Sequence, residues 1–124
     1  MPKPPLEDKE QIALIKWARR HANEYNGLKW LYAITNENSE GPAKGAYRKA
    51  MGVNAGVSDL CLPYPKEPYY GLYIEMKKRK GGRASAKQKE FKVYCSLVGY
   101  KCVICKGAAE AKQAILDYYN GALK

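Results

Sequence analysis

Asp59, Glu75 and Lys77 are the strongest candidates in the chain for a reactive site. They fall in two short apolar runs, Ser58–Leu62 and Gly71–Lys77, on either side of the turn-forming link Pro63-Tyr64-Pro65-Lys66-Glu67-Pro68. Paired as antiparallel strands centred on Glu67, the runs set Leu60 opposite Ile74, Cys61 opposite Tyr73 and Asp59 opposite Glu75. The period of two then gives Leu60, Leu62, Leu72, Ile74 and Met76 to the core face. Asp59, Cys61, Tyr73, Glu75 and Lys77 share the other face. Two carboxylates directly opposed across a ladder destabilise it. A hard divalent cation between them removes the conflict. The alternative is a solvated face where water screens both charges, and a slip of one residue reverses every assignment.

A second candidate is Cys102-Val103-Ile104-Cys105, a spacing shared by zinc and redox sites. The segment reads as a strand, so the two thiols point to opposite faces. No second such pair exists, and the only histidine, His21, is remote in sequence. Reduced, buried cysteines acting as small hydrophobes are the expectation, with no zinc.

The helices and strands around these groups are legible in the same way. Leu6 to about Tyr25 predicts a helix, with Ile12, Leu14, Ile15, Trp17, Ala18, Ala22 and Tyr25 as its apolar stripe and Gly27 as its stop. Trp30–Thr35 predicts a strand, and 43–51 a short helix. Ser85 and Gln88 form a capping-box pattern that opens a helix ended by Gly99, with Phe91, Tyr94, Cys95 and Val98 on its stripe. Tyr100–Cys105 predicts a strand. A last helix spans about Ala108–Tyr119, with Ala111, Ile115 and Tyr118 or Tyr119 on one line. The implied fold is α/β, a small mixed sheet flanked by helices in the order α-β-β-β-α-β-α, with a β-α-β crossover near the end.

Composition narrows the function classes. The chain has 124 residues, enough for one domain, residues 1–124. It carries twenty-two Lys and Arg against twelve Asp and Glu, a net charge of +10. Such a balance points to a polyanionic partner, above all nucleic acid. No apolar run is long enough for a membrane span, and the start, Met1-Pro2-Lys3-Pro4-Pro5, has no signal-peptide core. The expectation is a cytoplasmic protein, not secreted, in a phage or bacterial setting.

The ordered blocks Gly56-Val57-Ser58-Asp59-Leu60, Gly71-Leu72-Tyr73-Ile74-Glu75-Met76-Lys77, Ser85 through Gln88, and Gly99-Tyr100 resemble the virus-type replication-repair nuclease (VRR-NUC) domain of the PD-(D/E)XK superfamily. The resemblance extends to the start of the first helix, to Ala33-Ile34-Thr35-Asn36 and to the closing Glu110-Ala111-Lys112 segment. It implies a restriction-endonuclease-like core. It casts Asp59 and Glu75 as metal-binding carboxylates, the Met76 carbonyl as a further ligand and Lys77 as the catalytic lysine. Gln88 stands where the family often has a Gln, although a helix cap explains it equally. An acidic residue on the first helix is implied as well: Glu7, slightly favoured, or Glu10, with a solvated first-turn carboxylate as the alternative. Ser58 replaces the family's usual proline.

What the resemblance implies is a Mg²⁺- or Mn²⁺-dependent DNA endonuclease, structure-selective on branched DNA such as Holliday junctions and acting as a homodimer. The basic run fits that substrate. Lys77, Lys78, Arg79, Lys80, Arg83, Lys87 and Lys89 leave the catalytic strand with no acidic residue among them. Lys44, Arg48 and Lys49 offer a second basic surface. Tyr64, Tyr69 and Tyr70 at the hairpin tip are open to three roles: base stacking, an interface, or covering the core. The competing readings are a basic nucleic-acid-binding module without catalysis and a zinc-binding interaction domain built on Cys102 and Cys105.

Overall fold

The computed structural model describes residues 6–35 and 42–123, apart from the side chains of residue 6 and of residues 42–44. Four helices, α1 (Leu6–Arg20), α2 (Pro42–Ala50), α3 (Ala86–Val98) and α4 (Ala108–Tyr119), surround four strands, β1 (Tyr32–Ala33), β2 (Leu60–Leu62), β3 (Leu72–Lys77) and β4 (Lys101–Lys106). The sheet runs in the order β1-β2-β3-β4. The first two pairings are antiparallel and β3 lies parallel to β4. A parallel pair needs a crossover, which α3 supplies. Among the described residues no helix is long and apolar enough to cross a membrane.

The hairpin register is Leu60 to Ile74, Cys61 to Tyr73 and Leu62 to Leu72, as the centring on Glu67 predicts. The core side of the sheet therefore carries Leu60, Leu62, Leu72, Ile74 and Met76, all buried. Against them pack Leu14 and Ala18 of α1 and Ala111, Ala114, Ile115 and Tyr118 of α4. On α1 the pair Leu14 and Ala18, four apart, points inward, whereas Ile12 lies on the opposite side and is 48% exposed, so the stripe is narrower than predicted.

The first helix also ends earlier than expected, at Arg20 rather than near Tyr25. A run of turns follows, and Gly27, at φ 80°, opens a short 3-10 segment over Leu28–Trp30. The reason is burial: Leu28 and Leu31 are both drawn into the core. That segment consumes the start of the predicted Trp30–Thr35 strand and leaves β1 only two residues long. The short helix of the 43–51 region is present as α2, so the order becomes α-β-α-β-β-α-β-α.

The prolines of the lead-in, Pro2, Pro4 and Pro5, lie outside the described residues, as does Asn36. At the hairpin tip, Tyr64 and Tyr69 pack against the core. The Tyr118 hydroxyl donates to the Tyr64 carbonyl at 2.7 Å. Two of the three tyrosines thus cover the core, while Tyr70 is exposed and its ring rests near that of Tyr100.

Candidate active site

The second face of the sheet is not a solvated one. Glu75 is only 3% exposed, and Cys61 and Cys102 beside it are buried. α3 covers this face, with Cys95 buried beneath it and Phe91 edge-on to Tyr73 at 5.1 Å between ring centroids. The reading in which water screens Asp59 and Glu75 therefore fails for Glu75.

Asp59 sits just before β2. Its carbonyl accepts from the Ile34 amide at 2.7 Å, which ties it to the edge strand. Its Oδ2 accepts from the Met76 amide at 2.7 Å, so the side chain is held against β3 beside Glu75. The Met76 side chain points the other way, into the core. Glu75 Oε2 receives a hydrogen bond from Gln88 Nε2 at 2.9 Å and lies 3.6 Å from Lys77 Nζ. Glu75 Oε1 is buried and, among the described residues, has no hydrogen-bond partner.

Burial pushes the Glu75 carboxyl up to about 8, and the neighbouring Asp59 carboxylate adds to the rise, while Lys77 partly offsets it. Desolvation disfavours the charged form, and a like charge at contact range disfavours it further. A buried oxygen without a partner is a costly arrangement that calls for an explanation. A hard divalent cation fits this donor set, because it takes carboxylate oxygens and cancels the like-charge conflict. Among the described residues no cluster of three or more His, Cys, Asp or Glu side chains is arranged to hold a metal. A cation at the Asp59–Glu75 pair would complete its shell with main-chain and non-protein oxygens, for which hard cations are well suited.

Gln88 unites two roles that the sequence presents as alternatives. Ser85 Oγ accepts from the Gln88 amide at 3.1 Å, and Gln88 Oε1 accepts from the Ser85 amide at 2.8 Å, which completes the capping box. With the oxygen committed to Ser85, Nε2 is left to face Glu75. An amide, with its acceptor and donors on separate atoms, can accept at the helix start and donate to a carboxylate at once.

The approach of α3 depends on Gly56. It has φ 93°, and a Cβ there would lie 2.7 Å from the Lys87 backbone. The segment leading to Asp59 thus rests directly on the first turn of α3, the turn that carries Gln88. Ser58 is buried with its Oγ 3.4 Å from Cys102 Sγ. Cys105 points into the opposite, core side of the sheet. The two thiols of the Cys-x-x-Cys motif thus face opposite ways, as strand periodicity predicts. All four cysteines are free, and burial pushes the Cys95 and Cys105 thiols up to about 12.

The first-helix acids are placed differently from one another. Glu10 Oε1 accepts from the Ala108 amide at 2.8 Å, at the start of α4, and its Oε2 lies 3.4 Å from Arg79 Nη2. Glu7 is half-buried one turn earlier, and among the described residues no hydrogen bond or ion pair joins it to Asp59, Glu75 or Lys77. Lys78, Arg79, Lys80, Arg83 and Lys87 are exposed, as is Lys49, while Arg48 is half-buried. The Lys44 side chain lies outside the described residues.

Two aromatics that periodicity assigns to the packed stripe of α3 are not fully packed. Phe91 is half-buried, and Tyr94 is 57% exposed on the wall of a groove between α2 and α3. The spacing of Lys87, Phe91 and Tyr94 along one helical line carries that signal in the sequence.

The chain matches no protein-family model, and no curated protein matches it. Among solved structures it superposes on a VRR_NUC domain protein with a TM-score of 0.80 and 27% sequence identity, covering 96% of this chain and 92% of that one. The ordered sequence blocks and the backbone over 96% of the chain thus agree, and the chain has a VRR-NUC-type fold, an α/β nuclease fold of the PD-(D/E)XK kind.

Proposed function

We propose that the chain is a metal-dependent DNA endonuclease that hydrolyses phosphodiester bonds, selective for branched DNA such as Holliday junctions and active as a homodimer. The observation that carries this reading is the Asp59–Glu75 pair. Its buried Glu75 Oε1, unpartnered among the described residues, stands beside the Lys77 ammonium, which lies 3.6 Å from Oε2. Asp59, Glu75 and the Met76 carbonyl would hold Mg²⁺ or Mn²⁺. The ion supplies a lowered water pKa and neutralises phosphate oxygens. Lys77 places a fixed positive charge where negative charge grows on the phosphate. Gln88 keeps the Glu75 carboxylate oriented. Lys78, Arg79, Lys80, Arg83 and Lys87, which follow the catalytic strand directly, hold flanking phosphates. Glu10, bonded to α4 and close to Arg79, steadies this basic loop. The outer side of α3, where Val93 is exposed and Leu97 is 79% exposed, offers an apolar surface for a second copy.

The test is cleavage of a four-way junction and of the matching linear duplex with Mg²⁺ or Mn²⁺, alongside Asp59→Ala, Glu75→Ala and Lys77→Ala, with sedimentation to read the assembly. Each variant is expected to lose about a hundredfold or more in rate. Wild-type rates in Asp59→Ala and Glu75→Ala would overturn the assignment. Tight, salt-sensitive binding without turnover in the wild type would favour a non-catalytic binding module.

A further inference from the structure

A groove of about 650 Å³ lies between α2 and α3, and Val53, Asn54, Ala55 and Val57, on the way to Asp59, line it as well. We propose that this groove seats an unpaired nucleotide of the substrate, its base against Tyr94 and Phe91 and its phosphates on Arg48, Lys49 and Lys87. The inference rests on the nuclease reading and adds to it a physical source for selectivity.

Three observations support it. Among the described residues, the lining brings Arg48, Lys49 and Lys87 together with one carboxylate, Glu90, so this part of the groove is net positive. Its aromatic wall is suited to stacking. The Phe91 ring is fixed by its edge contact with Tyr73, at 85° between planes, and Tyr94 is more than half exposed. Stacking on such rings is tolerant of sequence, because every base has a π-face. The third observation is size and place. The volume is within the range of about 300–1,000 Å³ typical of small-ligand pockets. A duplex, whose major groove alone is about 12 Å wide, cannot enter it.

The position relative to the carboxylates is short-range. Val57 in the lining precedes Asp59 by two residues, and Lys87 adjoins Gln88, whose amide holds Glu75. Two residues of chain span at most about 7 Å, the length of about two base steps. A strand whose phosphate rests at the carboxylates would reach the groove within a nucleotide or two. Fully paired DNA, a four-way junction included, must unstack a base to fill it, whereas a flap or splayed arm at a branch already offers one.

The test uses the full chain without divalent metal, so it reads binding whatever the outcome for cleavage. Fluorescence anisotropy would compare a hexamer of thymidine with a twenty-base-pair duplex for wild type, Tyr94→Ala and Tyr94→Phe. The expected result is that Tyr94→Ala lowers the ratio of single-strand to duplex affinity about tenfold, while Tyr94→Phe retains it. Photocrosslinking with a hexamer carrying one 5-iodouracil is expected to modify Tyr94 or Phe91. An unchanged affinity ratio, or adducts confined to other elements, would overturn the proposal. So would a ratio that holds while Tyr94→Ala converts a dimer to a monomer, which would make the groove an interface between copies. Normal single-strand binding in a protein that cleaves no DNA would leave the groove standing and sink the nuclease reading alone.

Discussion

Metal affinity is expected to climb steeply with pH, because Glu75 is held protonated in the metal-free protein. Burial and the Asp59 carboxylate push its carboxyl up to about 8. A hard cation binds the carboxylate form, so below that value each binding event at the site must release a proton. One proton per ion means about a tenfold gain in apparent affinity per pH unit, and about thirtyfold between about pH 6 and pH 7.5. Above about pH 8.5 the slope flattens. Isothermal titration with Mn²⁺ in two buffers of different ionisation enthalpy measures both quantities: the slope of log Kd against pH and the number of protons released. The expected release is close to one at about pH 6.5 and falls toward zero above about pH 9. Saturating Mn²⁺ is expected to remove most of the acid limb of the cleavage rate. Metal-free stability should move in the opposite sense. A carboxyl raised in the folded state stabilises fully below its ordinary range, and that contribution is lost as pH rises through about 8. The metal-free Tm is therefore expected to decline across that window, and Glu75→Gln to flatten the decline. Affinity independent of pH between about 6 and 7.5, with no proton released, would refute the assignment of Glu75 as a buried, protonated ligand.

Gln88→Glu is expected to preserve the helix cap while setting a third carboxylate against Glu75, giving a cleavage loss larger than the stability loss; paired rate and urea measurements separate the two. Gly56→Ala forces an L side chain to φ 93° and against the Lys87 backbone, so a cost of about 2 kcal/mol or more is expected from urea unfolding, with reduced cleavage as α3 shifts. Glu10→Ala removes the acceptor at the start of α4, and a loss of about 1 kcal/mol is expected, with the exposed Arg79 pair adding little. If its cleavage rate falls far more than that stability change explains, Glu10 has a role at the carboxylates beyond positioning. Ser58→Ala leaves the Cys102 thiol without its hydroxyl neighbour, and a change of about 1 kcal/mol or less is expected by the same assay, with cleavage retained.

The parts of the fold governed by local rules were legible in the amino-acid sequence. Ser85 and Gly99 bound α3 where capping chemistry requires, and the period of two placed the Leu60 and Ile74 side of the hairpin in the core. The boundaries set by distant packing were not legible. α1 gives way after Arg20 because Leu28 and Leu31 are wanted elsewhere, a demand that no local window contains. At the site, the facing of Asp59 and Glu75 followed from register, but the burial of Glu75 did not, since it depends on how closely α3 lies on the sheet. The double duty of Gln88 was hidden for the same reason. A capping box is a four-residue signal, whereas the bond to Glu75 spans thirteen positions and exists only once the crossover is folded. Glu10 posed a similar problem, because its partner Ala108 lies at the far end of the chain.

Because side chains alternate along each strand, the leucine-rich side and the acidic side of one sheet answer to different pressures. Leu60, Ile74 and Met76 lock the strands from beneath, and the groups above inherit their coordinates from that anchorage. Stabilising exchanges among α1 and α4 should therefore combine almost additively with changes around Asp59, since the strands separate the two neighbourhoods. A scaffold divided in this way can be hardened from below while the chemistry above it is retuned.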